Sequence, residues 1–135
     1  MALIQWSENL SVGVGEIDRQ HQRLIAMIGE LDTAMREGKG KDLMGKIVNG
    51  LIGYTGTHFA TEEKYFDQFA YPEADGHKAE HRNFIQKVSE FKGGFESGKL
   101  GLSIQVMDFL SDWLKRHISG TDKKYAPFFN GKGLK

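Results

Sequence analysis

Residues 77–95 read HKAEHRNFIQKVSEFKGGF, and in them His77, His81, Phe84, Val88, Phe91 and Phe95 recur at steps of four and three. A helix turns every ~3.6 residues, so these side chains form one stripe, and that stripe is the seam of a helix lying along a bundle axis. Two histidines on an apolar seam are the unusual part. A buried imidazole with no partner costs ~1 to 3 kcal/mol, so the seam must supply each of them with one.

The same period extends outward in both directions. Upstream, Asp18 is placed to cap a helix over 18–37 whose inward face is Ile17, His21, Leu24, Ile28, Leu31 and Met35, closed by Gly38. A second helix over 42–69 turns Ile47, Leu51, Tyr54, His58, Glu62, Phe66 and Phe69 inward, with Tyr71-Pro72 just past its end. The third spans 73–97, and Gly98 and Gly101 bracket the turn that follows it. A fourth over 102–118 presents Val106, Leu110, Trp113 and His117, and a short tail helix over 122–129 covers one end. Short links make neighbouring helices antiparallel. The expected fold is therefore all-α: one domain over 1–135, an up-down-up-down four-helix bundle with an N-terminal arm over 1–17. Gly45, Gly50, Gly53 and Gly56 oppose it mildly, since each costs ~1 kcal/mol in a helix interior, and packing has to outweigh them.

Composition narrows the chemistry. Lys plus Arg and Asp plus Glu number 18 each, so no net field recruits nucleic acid or an anionic membrane surface. With no cysteine, disulfides, thiolate metal sites and Cys nucleophiles drop out, and imidazole and carboxylate remain as ligands. That donor set suits iron, zinc, manganese or copper. No signal peptide and no run of ~20 apolar residues is visible, which makes a cytoplasmic protein without membrane insertion the expectation.

All 5 histidines then fall into one pattern with two carboxylates: His21 alone, His58 with Glu62, His77 with His81, and His117 with Asp122. One such pair is common on surface helices; the repetition, with no histidine left over, points to metal. Buried carboxylates would need neutralising too, and metal ions satisfy every member of the set. Two six-coordinate ions offer about twelve positions, and two bridging carboxylates, the imidazoles and a bridging oxide or hydroxide leave about one of them open. A single opening suits one small molecule. If the histidines divide three and two, it lies on the ion with fewer.

The segments IDRQH ending at His21, HFATEE from His58, HKAEH from His77 and HISGTD ending at Asp122 resemble the hemerythrin family in its stand-alone bacterial form. The resemblance runs from Trp6 to Tyr125. It implies that His77, His81 and His117 hold one iron and His21 and His58 the other, with Glu62 and Asp122 bridging an oxo- or hydroxo-linked pair. It further implies an oxygen pocket lined by Leu24, Phe59, Trp113, Leu114 and Ile118, and reversible dioxygen binding for carriage, storage or delivery. Leu24, one turn beyond His21, is expected to gate that pocket. Ser119-Gly120-Thr121 is read as a flexible link to Asp122. The implied partners are dioxygen and an oxygen-consuming enzyme, and the chain is expected to be a monomer.

Other readings use the same residues. An oxygen- or redox-sensing domain would signal through an output elsewhere; a di-iron reductase of nitric oxide or peroxide would turn over; a zinc hydrolase would need a general base free of the metal. Ferritin-like oxidases use carboxylate-rich sets with Glu-x-x-His pairs, whereas imidazole dominates here, and this favours binding over oxidation, a carrier and not an enzyme.

Overall fold

The computed structural model describes residues 4–38, 41–96 and 104–135, with the side chains of 41, 44, 96 and 104–107 outside that description. The expected turn at Gly98 and Gly101, the adjoining ends of helices three and four, and the inward placing of Val106 all lie outside the described residues. Four long helices carry the fold: α1 (Gly15–Arg36), α2 (Lys41–Phe69), α3 (Ala74–Glu96) and α4 (Ile104–Arg116), with a terminal α5 (Ala126–Gly131). They form an antiparallel up-down-up-down bundle in which α1 packs on α2 and α4, and α2 packs on α3. Among the described residues there is no strand, and no helix is long and apolar enough to cross a membrane.

Apolar side chains gather in two clusters. One is mainly aliphatic and includes Leu24, Ile28, Leu31, Val48, Leu51, Val88, Leu110 and Leu114 beside Phe59 and Phe84. The other is mostly aromatic and holds Ile17, Phe66, Tyr71, Tyr125 and Phe129 together with Val12 and Val14 of the arm. Along α1 and α2 the change from one cluster to the other falls at His21 and Glu62. The polar residues therefore lie between two dry layers.

Two local details differ from the sequence expectation, each for a physical reason, while α2 ends at Phe69 as expected. Asp18 does not cap α1, which begins three residues earlier; its carboxylate instead accepts from the Val12 amide at 2.8 Å and from the Ser11 hydroxyl, pinning the arm to the first turn. Helix α2 ends with Ala70 in the left-handed region at φ 55°, where the Tyr71 amide returns to the Phe66 carbonyl at 3.0 Å and the two rings meet at 5.2 Å. This is a Schellman closure with alanine in glycine's place, costing ~1 to 2 kcal/mol of backbone strain that the Phe66–Tyr71 contact helps to offset.

The second difference is the larger. Ser119-Gly120-Thr121 is not a flexible link: His117–Thr121 form a π-helical turn that runs without a break into a 3₁₀ turn, Asp122–Tyr125, and on into α5. The Asp122 amide bonds to the His117 carbonyl five residues back, and the Ser119 hydroxyl donates to the Lys115 carbonyl at 2.6 Å. As for the glycines of α2, Gly50, Gly53 and Gly56 are exposed and Gly45 half-buried, so packing does not require them.

Candidate metal centre

Seven polar side chains are buried together where the two apolar layers meet: His21, His58, Glu62, His77, His81, His117 and Asp122 are each at most 3% exposed. Regular helix spacing aims two of the pairs, His58 with Glu62 on α2 and His77 with His81 on α3. The pair His117 and Asp122 needs the π turn. In an α-helix, five residues leave side chains about 140° apart, while one π turn returns the second onto the face of the first. Nothing but this widened turn lets the last helix supply both an imidazole and a carboxylate.

The donor atoms sort into two overlapping sets. Glu62, His77, His81, His117 and Asp122 place one ligand atom each within 4.8 Å of one another, and so do His21, His58, Glu62 and Asp122. Both carboxylates belong to both sets. Asp122 Oδ1 lies 2.7 Å from His77 Nε2 and 3.0 Å from His117 Nε2, while its Oδ2 lies 3.0 Å from His21 Nε2. Glu62 Oε1 lies 3.2 Å from His81 Nε2 and 3.4 Å from His58 Nε2. Its other oxygen accepts from the Tyr125 hydroxyl.

Whether these atoms fit metal ions can be judged from their hydrogen bonding. Both ring nitrogens of His21, Glu62 Oε1 and both oxygens of Asp122 are buried without a hydrogen-bond partner, despite the short approaches just given. His117 Nε2 also lies 3.2 Å from His77 Nε2 and 3.2 Å from His81 Nε2. Lone pairs facing one another across such gaps repel unless a proton or cation sits between them, and each orphaned atom otherwise costs ~1 to 3 kcal/mol. A cation in each set relieves all of these contacts together except the orphaned His21 Nδ1, and imidazole nitrogen with carboxylate oxygen is the donor mixture of iron, zinc, manganese or copper.

Protonation follows from the same packing. Burial pulls His58 and His81 down to about 4, so both are neutral near pH 7, the form that can donate to a metal. Burial acts downward on His117 as well, but the Asp122 carboxylate outweighs it and holds the imidazole up at about 9. For Asp122, burial pushes upward and the facing charge of His117 overrides it, leaving the carboxyl well below its ordinary range. Burial and the two carboxylates push Tyr125 well above 10, so its hydroxyl keeps the proton it donates to Glu62.

An apolar cavity of ≈ 10 Å³, about the room one water-sized sphere needs, lies on the far side of Phe59, whose ring stacks on His81 at 3.7 Å. Leu24, Phe59 and Leu114 border it, joined by Ile28, Leu51, Thr55 and Phe84, which the sequence reading missed as lining. Trp113 and Ile118 are placed elsewhere: Trp113 stacks on His117 at 4.4 Å and on Phe84 at 4.1 Å, and Ile118 is fully buried in the aliphatic cluster. Also missed were the partners behind the histidines, Gln20, Glu63 and Glu80, each adjacent in sequence to a donor. That adjacency was the one available signal.

Comparison with known proteins gives a consistent picture. Residues 12–129 match the family model for the hemerythrin HHE cation binding domain. Among curated relatives, a bacteriohemerythrin of Stenotrophomonas maltophilia is 36% identical over 93% of this chain and 81% of its own length. One of Methylococcus capsulatus is 30% identical over 94% and 97%. A crystal structure of wild-type hemerythrin superposes with a TM-score of 0.86 at 32% identity, covering 93% of this chain and 97% of the other.

Proposed function

Since the chain belongs to the hemerythrin family, we propose that its buried centre holds two irons and binds dioxygen reversibly, as a carrier or store in the cytoplasm. One observation carries this reading: two fully buried donor sets share both of their carboxylates, and one ring, Phe59, separates them from an apolar cavity about the size of a water molecule. A pair of ferrous ions would supply an open coordination position, and the electrons that dioxygen borrows on binding and returns on release.

The side chains have separate tasks. His77, His81 and His117 would hold one iron and His21 and His58 the other, with Glu62 and Asp122 shared between them. The Tyr125 hydroxyl fixes the spare oxygen of Glu62, which keeps that carboxylate turned toward both positions. Leu24, Phe59 and Leu114 keep water from the approach, because loss of dioxygen in a charged form requires separating charge in a low-dielectric space. Trp113, flat against His117, blocks rotation of that ring.

Binding in place of turnover is supported by the imidazole majority of the donors and by a cavity too small for an organic substrate. The test is metal content together with an optical spectrum of the reduced protein before air, in air and after degassing. Two irons per chain and a colour change that reverses are expected. A single ion per chain, or oxygen steadily consumed while a reductant is present, would overturn the proposal.

A further inference from the structure

Around the bundle, the residue next in sequence to a donor on one helix braces a histidine on the following helix. Gln20, beside His21, accepts from His58 Nδ1 at 2.7 Å. Glu63, beside Glu62, accepts from His81 Nδ1 at 2.9 Å. Glu80, beside His81, accepts from His117 Nδ1 at 3.2 Å. The series ends there, for His21 Nδ1 is buried with no partner. Each of these bonds keeps a proton on Nδ1, so that Nε2 faces the centre and is the nitrogen left to bind a metal.

The braces differ in charge. A carboxylate behind an imidazole draws on the Nδ1 proton and makes Nε2 a stronger donor, whereas a neutral amide orients the ring with little such effect. Gln20 is itself held in this role, because its amide nitrogen donates to the Thr61 hydroxyl at 3.3 Å and its carbonyl is left for His58. Glu80 is held likewise by the Thr121 hydroxyl at 2.9 Å. Two of the histidines in the larger set are thus braced by carboxylates. The smaller set has one neutral brace and one ring with none.

Taking the two-metal reading above as given, we infer that Glu63 and Glu80 make the three-histidine position the tighter one, filled first and emptied last, and that Gln20 keeps the two-histidine position weak. All three are positioning residues, acting through the imidazoles. The side chains of Glu63 and Glu80 are 33% and 45% exposed, so each acts through a partly screened contact, and the two together set the difference.

The test is titration of the metal-stripped full-length protein with cobalt(II), followed by its visible absorption. Two ions entering in two resolved steps are expected. Glu63→Gln or Glu80→Gln should weaken the first step by about 10- to 100-fold and leave the second within about threefold, and Gln20→Glu should strengthen the second by about tenfold. Because both steps are read on one sample, a loosened fold shows itself by weakening them alike. That equal loss, or both ions entering wild type in a single step, overturns the inference while the two-metal reading stands. A total of one ion overturns that reading, and the inference falls with it.

Discussion

His77 with His81 and His117 with Asp122 are both pairs of donors from one helix, but they stand on different backbones and do different work. The first pair sits four apart on regular α-helix, and both of its members belong to the larger donor set alone. The second sits five apart across a π turn, and its carboxylate belongs to both sets. The regular turn of α3 supplies neighbours for one set, although that of α2 also carries a shared carboxylate, Glu62. The widened turn places a group between two.

Substitution within the two pairs should therefore have unequal effects. Asp122→Ala removes oxygens that face His21, His77 and His117, so the purified variant is expected to lose both metals. Each ion held at a thousandfold excess over its Kd contributes about 4 kcal/mol to stability, so the fall in denaturant midpoint should reflect roughly twice that figure. His81→Ala leaves the smaller set complete and should retain about one ion per chain, with about half the loss of stability. Metal analysis alongside unfolding curves decides the matter, and equal losses in the two variants would contradict the sharing of Asp122.

A smaller effect is expected beside the pairs. Leu24 borders the cavity beyond Phe59, while Leu31, two turns on along the same helix, is buried in the aliphatic cluster away from it. Alanine at either position should cost about 2 to 5 kcal/mol through the lost contacts and the space left behind. Only Leu24→Ala should also speed autoxidation in air, since it alone opens the cavity to water. If the two variants autoxidise at the same rate, Leu24 is core and not a gate.

The contrast between the pairs also shows what the sequence could tell. The apolar seam of α3 is visible because Phe84, Val88 and Phe95 repeat the helical period that the histidines follow, and packing against α2 rewards that same period. The π turn leaves no such trace: Ser119 and Gly120 are exposed and carry no apolar signal, so a helix that widens there looks like one that stops. Glu63 and Glu80 escape for a related reason. On a helical wheel they belong to the wet flank, and only the register between helices turns them toward His81 and His117. Asp18 resembles a cap because residue type alone cannot say whether a carboxylate starts a helix or reaches back from inside one.

The smallest effect tests whether the π turn is a formed structure. Gly76, just before His77 in α3, and Gly120, inside the π turn, both have room for a methyl group, with nothing beyond the local backbone and chain neighbours within 4 Å of where its carbon would stand. Neither has the positive φ that would demand glycine, since only Gly13, Gly38 and Gly133 do among the described glycines. A methyl at an ordered position narrows the unfolded ensemble without disturbing the folded state, a gain of about 0.4 to 1 kcal/mol. Gly76→Ala and Gly120→Ala should thus stabilise the protein by similar amounts, with metal content unchanged. A loose link would behave otherwise, because alanine would bias it toward ordinary α-helix and swing Asp122 away from the face of His117. Loss of metal in Gly120→Ala, with Gly76→Ala unaffected, would show that the five-residue turn depends on glycine's freedom and not on the bonds from Ser119 and Asp122 that hold it here.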